Sequence, residues 1–166
     1  MRVLGVIWGV VGVSALLLRA IIGLSPRAWN AIESGLSAWH WIVLVTWTLF
    51  MLITEGYRGF QKQFSPRTAA RVKYLRDHPS LVRVLLAPIF CMGFFHANKK
   101  TRIIAYSLTL GIVMLVLAVT FLCPDPWRGI IDCGVVLGLT WGLISFWIYT
   151  YKALTQRGFP HSPETP

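Results

Sequence analysis

Long apolar runs separated by short polar intervals set the pattern of this chain. Four of them approach the roughly 20 residues that a membrane-spanning helix requires. They are residues 3–24, broken only by Arg19; 38–54; 103–122, which carry no charge; and 130–151, with Asp132 near the start. A fifth run, 84–95, is too short: as a helix it reaches only about 18 Å. Pro88 interrupts it, Arg83 closes one side, and His96, Asn98, Lys99 and Lys100 close the other. It reads as a segment lying in the interface or re-entering from one side.

The predicted fold class is all-α: a polytopic membrane protein with four transmembrane helices and an amphipathic, interfacial helical segment between the second and third. Residues 1–54 form a first helical hairpin, 55–102 a basic module, 103–151 a second hairpin and 152–166 a polar tail. The first run is too long for a signal peptide, only Arg2 precedes it, and no small-x-small cleavage site follows Leu18.

Composition agrees with the pattern. Of 166 residues, 55% are hydrophobic and 13% charged, against roughly 45–50% and 25% in an average soluble domain. The mean hydropathy is +0.62. One water-soluble core of this size could not hide so much apolar surface, and the same content excludes disorder for most of the chain.

Charge sets the expected orientation. Sixteen Lys and Arg face six Asp and Glu. The connection 55–102 carries Arg58, Lys62, Arg67, Arg71, Lys73, Arg76, Arg83, Lys99, Lys100 and Arg102, whereas the two short connections carry only Arg27 and Arg128. Positive charge stays on the cytoplasmic side. The long connection, both termini, Lys152 and Arg157 are therefore expected inside. Trp29, Trp39, Trp41 and Trp127 then fall at the outer boundary and Tyr57, Tyr106, Tyr149 and Tyr151 at the inner one, where aromatic belts belong.

Small residues predict where helices approach. Gly134, Gly138 and Gly142 recur every fourth residue in the last span, and Gly5, Gly9 and Gly12 line one face of the first. These faces predict close packing of the first and last spans, or a dimer seam. Arg19 shares the first glycine face, and Asp132 enters the last span at a similar depth. Their pairing would remove two expensive membrane charges.

In the basic module, Tyr57, Phe60 and Phe64 share one helical face and Arg58 and Lys62 another, an amphipathic extension along the inner leaflet. Ser65-Pro66 reads as a cap and first-turn proline opening a new helix. Residues 67–78 show cations all round and no clean apolar stripe. The candidate contacts to anionic lipid are Arg58, Lys62, Arg67, Arg71, Lys73, Arg76, Lys99, Lys100 and Arg102, at roughly 1 kcal/mol for each cation near the surface. No base-stacking aromatics are interleaved with these cations, which argues against nucleic acid.

Motifs for chemistry are lacking. There is no Gly-rich phosphate loop, nucleophile elbow, zinc-protease motif or carboxylate pair. His40 has no partner at its depth for haem. His78 and His96 have only Asp77 and Cys91 nearby in sequence, and Cys91, Cys123 and Cys133 make no metal-binding spacing. No catalytic residue, cofactor or metal is expected. The expected role is a non-catalytic accessory, assembly or scaffolding subunit in a bacterial inner membrane, with anionic lipid and a membrane-protein partner or further copies of itself. A second class is a small oligomeric transporter or channel using Glu55, Asp132 and Arg19. A third is a membrane redox or lipid enzyme without a recognisable motif.

Overall fold

In a computed structural model, which describes residues 2–156 and 158–165, the chain is all-helical, with no strand among the described residues. The elements are α1 (Arg2–Glu33), α2 (Ala38–Met51), a π-helical segment (Leu52–Phe64), α3 (Ser65–Asp77), α4 (Leu81–Leu85), α5 (Ala87–Cys91), α6 (Lys99–Leu122) and α7 (Trp127–Thr155). Four helices are long and apolar enough to cross a membrane: Arg2–Glu33, Ala38–Asp77, Lys99–Leu122 and Trp127–Thr155. That is consistent with a multi-pass membrane protein. Arg157 lies outside the described residues.

Two helices outrun their apolar cores. α1 passes through Pro26, and the Ser25 hydroxyl bonds the Ile21 carbonyl at 2.6 Å within it. The second helix does not end with its apolar run near residue 54; α2, the π segment and α3 form one continuous rod of 40 residues. The expected break at Ser65-Pro66 is absent, because Ser65 has right-handed helical angles and its N–H bonds the Phe60 carbonyl five residues back. Pro66 has no N–H to lose, so it fits where the ladder returns to a four-residue step.

The π geometry also rearranges the amphipathic stretch. It brings residues five apart together, so Lys62 sits over the Tyr57 ring, 4.6 Å from its centre, rather than on a separate face. Phe60 and Phe64 keep their contact, with ring centres 5.4 Å apart.

α7 is the central helix, packed along α1, α2, the π segment and α3. The α4–α5 segment lies against α1 and α3. One hydrophobic core, built from Val10, Val13, Val72, Leu75, Ala87, Phe90, Cys91 and Phe146, joins them at the basic end of the bundle. Residues 67–78 were expected to be a cation-covered surface. Instead α3 is deeply buried, with Thr68, Ala69, Ala70, Arg71, Val72 and Leu75 all out of reach of solvent.

The glycine faces sit at helix crossings, with partners other than those expected. An added Cβ at Gly134 would meet Trp47 and Met51, at Gly138 the Glu55 side chain, and at Gly142 the Phe60 ring. The stripe on α7 thus receives the α2–π rod, not α1. On α1, Gly5 faces Val84 and Leu75, Gly9 faces Cys91 and Ala87, and Gly12 meets Pro88. That stripe cradles the short α4–α5 segment. The close approach of α1 and α7 comes elsewhere, where Gly129 meets Ala31 and the Arg27 carbonyl.

α6 stands apart. None of its residues is buried, and it shares no extended interface with another helix. It is tied at its ends, by Arg128 to Thr120 (3.1 Å) and by Phe94 against Tyr106 (ring centres 5.3 Å).

Candidate functional site

The site grows from one residue. Arg71 on α3 is 1% exposed. A bare charge there would be very costly, so the fold surrounds it with acceptors. One terminal nitrogen donates to the Phe90 carbonyl (2.7 Å) and the Phe95 carbonyl (3.2 Å). The other donates to the carbonyls of His96 and Glu164, each at 3.2 Å. The guanidinium also lies 5.0 Å from the centre of the Phe90 ring, a favourable cation–π placement. Arg71 is therefore an internal cap for the end of α5 and the loop after it, not a lipid contact.

Its neighbours on α3 act in the same way. Arg76 donates to the Leu154 carbonyl and Lys73 to the Gln156 carbonyl, each at 2.9 Å. These carbonyls close α7, where a helix leaves acceptors unpaired and favours positive charge. Arg76 also pairs with Asp77 at 3.0 Å. The expected lipid-facing cations thus divide. Arg71 is enclosed, Lys73 and Arg76 are half-buried against α7, and Arg58, Lys62, Lys99, Lys100 and Arg102 are exposed.

Arg67 belongs to a second arrangement, around Glu164 of the tail. The Glu164 carboxylate lies 3.6 Å from Arg67 and accepts a 2.5 Å bond from the Thr101 hydroxyl on the first turn of α6. The Glu164 carbonyl accepts the Asn98 N–H at 2.9 Å as well as Arg71. Glu164 itself sits in the left-handed region with φ of 49°, a strained setting for a non-glycine residue. A cavity of about 160 Å³ opens here, lined by Arg67, Asn98, Lys100, Thr101, Ile104 and Glu164. A second, of about 280 Å³, lies between the rod and α7, where Gln61 accepts a 2.8 Å bond from the Trp141 indole.

The expected charge pair does not form. Among the described residues the ion pairs are Arg67–Glu164 and Arg76–Asp77. Asp132 is 5% exposed, and the cations facing it are Arg27 and Arg128. The cause is register: Gly129 packs against Arg27 and Ala31, which leaves Arg19 eight residues, about 12 Å, further along α1. Arg19 is exposed, and Glu55 borders Gly138, six residues along α7 from Asp132.

The histidines make ring and hydrogen-bond contacts. His40 bonds Ser37 at 2.8 Å and meets Trp127, His78 stacks on Tyr74, His96 packs on Phe95, and His161 meets Tyr149. Among the described residues no three His, Cys, Asp or Glu converge in a way that could hold a metal. The three cysteines are free. Burial pushes the Cys91 thiol up to about 12, against the opposing pull of the Arg71 charge.

Sequence reasoning misses Glu164, Thr101 and Phe90 as site residues and gives Asn98 only as a boundary of the fifth apolar run. The available signal was the spacing of Thr68, Val72 and Leu75, which marks a buried face on α3 beside Arg71. No family model, curated protein or solved structure matches the chain.

Proposed function

We propose that this protein is a non-catalytic accessory or scaffolding subunit of the bacterial inner membrane, with both termini and the basic module in the cytoplasm. Its exposed cations Arg58, Lys62, Lys99, Lys100 and Arg102 face the anionic leaflet, and α6 docks on one apolar helix of a different membrane protein.

The observation that carries this reading is the isolation of α6. Three candidate spans share a core, whereas the fourth, 24 residues long, has no residue buried. In lipid, helices associate through packing rather than through hydrophobic transfer, so a span that stands clear of its own bundle has the length between its tied ends free for another helix. Residues 103–122 carry no charge and one glycine, Gly111. Self-pairing of α6 would have only the Ser107–Gly111 step for close backbone approach, against the glycine triples of α1 and α7. The fitting occupant is an uncharged helix from another chain, packed through side chains.

Photo-crosslinking residues placed singly at 107–114 in native membranes test this. Adducts of one discrete mass should recur every three to four positions, and none should form from Leu4 or Ile7 of α1. Uniform or absent adducts around α6 would overturn the docking role. A product of twice the chain's own mass would replace the foreign partner with a second copy.

A further inference from the structure

The cavity around Glu164 pairs an excess of positive charge with one carboxylate supplied by the chain itself. Arg67 and Lys100 line it, Lys99 and Arg102 stand on the adjoining turn of α6, and Glu164 is the acidic residue among its lining residues. The Asn98 side chain, at the helix start, makes no capping bond. The acceptor seated over the first turn is instead the tail carboxylate, through Thr101. It is half-exposed, with side-chain exposures of 36% for Arg67 and 32% for Glu164. An exposed pair of this kind is worth only about 0.2–1 kcal/mol, and the left-handed backbone at Glu164 works against it. A competing anion could displace it.

We propose that this cavity is a site for a phosphate group carried by an anionic lipid, and that Glu164 occupies it in cis as a displaceable latch. The proposal rests on the reading that α6 crosses the membrane. Under that reading the apolar part of α6 starts at Ile103, so Lys100 and Thr101 stand at headgroup depth and Ile104 turns toward the acyl chains. A phosphate there meets Arg67, Lys100 and the Thr101 hydroxyl, the charge-assisted donors that such a group favours. Displacement frees the Glu164 carbonyl from Arg71 and from the Asn98 N–H. Arg71 then keeps its three bonds to residues 90–96, so the core stays closed while the tail is released.

The Asn98 amide reports the latch directly, because its N–H bonds Glu164. The test is hydrogen exchange on the full chain in three settings: phosphatidylcholine vesicles, the same vesicles with phosphatidylglycerol, and phosphatidylcholine vesicles with inorganic phosphate at matched ionic strength. Phosphatidylglycerol should speed Asn98 exchange about twofold to fivefold and leave the Cys123 amide, at the far end of α6, unchanged. Glu164→Gln should speed it to a similar degree in phosphatidylcholine alone. Lys100→Gln should leave the closed state intact and abolish the response to phosphatidylglycerol.

Acceleration by inorganic phosphate alone would overturn the lipid as the source and assign the site to a free anion. Phosphatidylglycerol retained by the purified protein with unchanged Asn98 exchange would overturn the latch only. Absence of both retained lipid and exchange response would overturn the lipid-binding function as well.

Discussion

Arg71 shows how one residue can hold several distant parts of a chain. Its partners lie 19 to 93 residues away in sequence, and they are carbonyls, which no other residue type could bridge with the same planar fork. Arg71→Ala would take the side-chain donor from the Phe95 and His96 carbonyls, remove one of two donors from those of Phe90 and Glu164, and open space beside Phe90. The expected loss is about 3 kcal/mol or more, read as a lowered thermal midpoint in detergent. Arg71→Lys keeps the charge but not the fork and should recover less than half. A second readout is Cys91, whose thiol is sealed and pushed to about 12 by burial. It should resist maleimide at neutral pH in the native protein and react in Arg71→Ala. An unchanged midpoint with Cys91 still protected would refute the central role of Arg71.

Among the elements, the π segment sets the aim of α3. Thirteen residues at a five-residue hydrogen-bond step change the angle at which the rod leaves α2, and this turns Arg71 inward. Gln63 is exposed in this segment, so Gln63→Ala should be silent. Deleting Gln63 should rotate α3 by about 100° against α2 and swing Arg71 and Val72 out of the core. The expected result is loss of monodisperse protein after detergent extraction; recovery of the deletion variant with normal stability would show that α3 can reset its own register. The α7 glycines belong to the same geometry, since Gly138 and Gly142 admit the π segment where a larger residue would meet Glu55 and Phe60.

For the molecule as a whole, the proposed orientation puts the Lys99 end of α6 in the cytoplasm and Cys123 outside. Membrane-impermeant maleimide should therefore label native Cys123 in intact cells. A Lys100→Cys variant should gain a second label only after permeabilisation. Labelling in the opposite order would invert the topology and, with it, the assignment of the cationic end to the anionic leaflet. The same orientation places the Arg71 core, the latch and the free cations together on one side, with α6 as the lateral face.

The four apolar helices were legible in the sequence because length and hydropathy are local properties: a run such as 103–122 is apolar whatever surrounds it. The glycine stripes were legible as places of close approach, since spacing alone puts Gly134, Gly138 and Gly142 on one face. Their partners were not, because two small-residue faces do not state which helix fills them. The fate of the cations was hidden for a related reason. A long basic side chain reaches lipid, water or a carbonyl equally well, and the carbonyls that Arg71, Lys73 and Arg76 reach exist only once α5, α7 and the tail have been folded against α3. Local chemistry determined the helices; the meeting of chain segments far apart in sequence decided which charges became part of the interior.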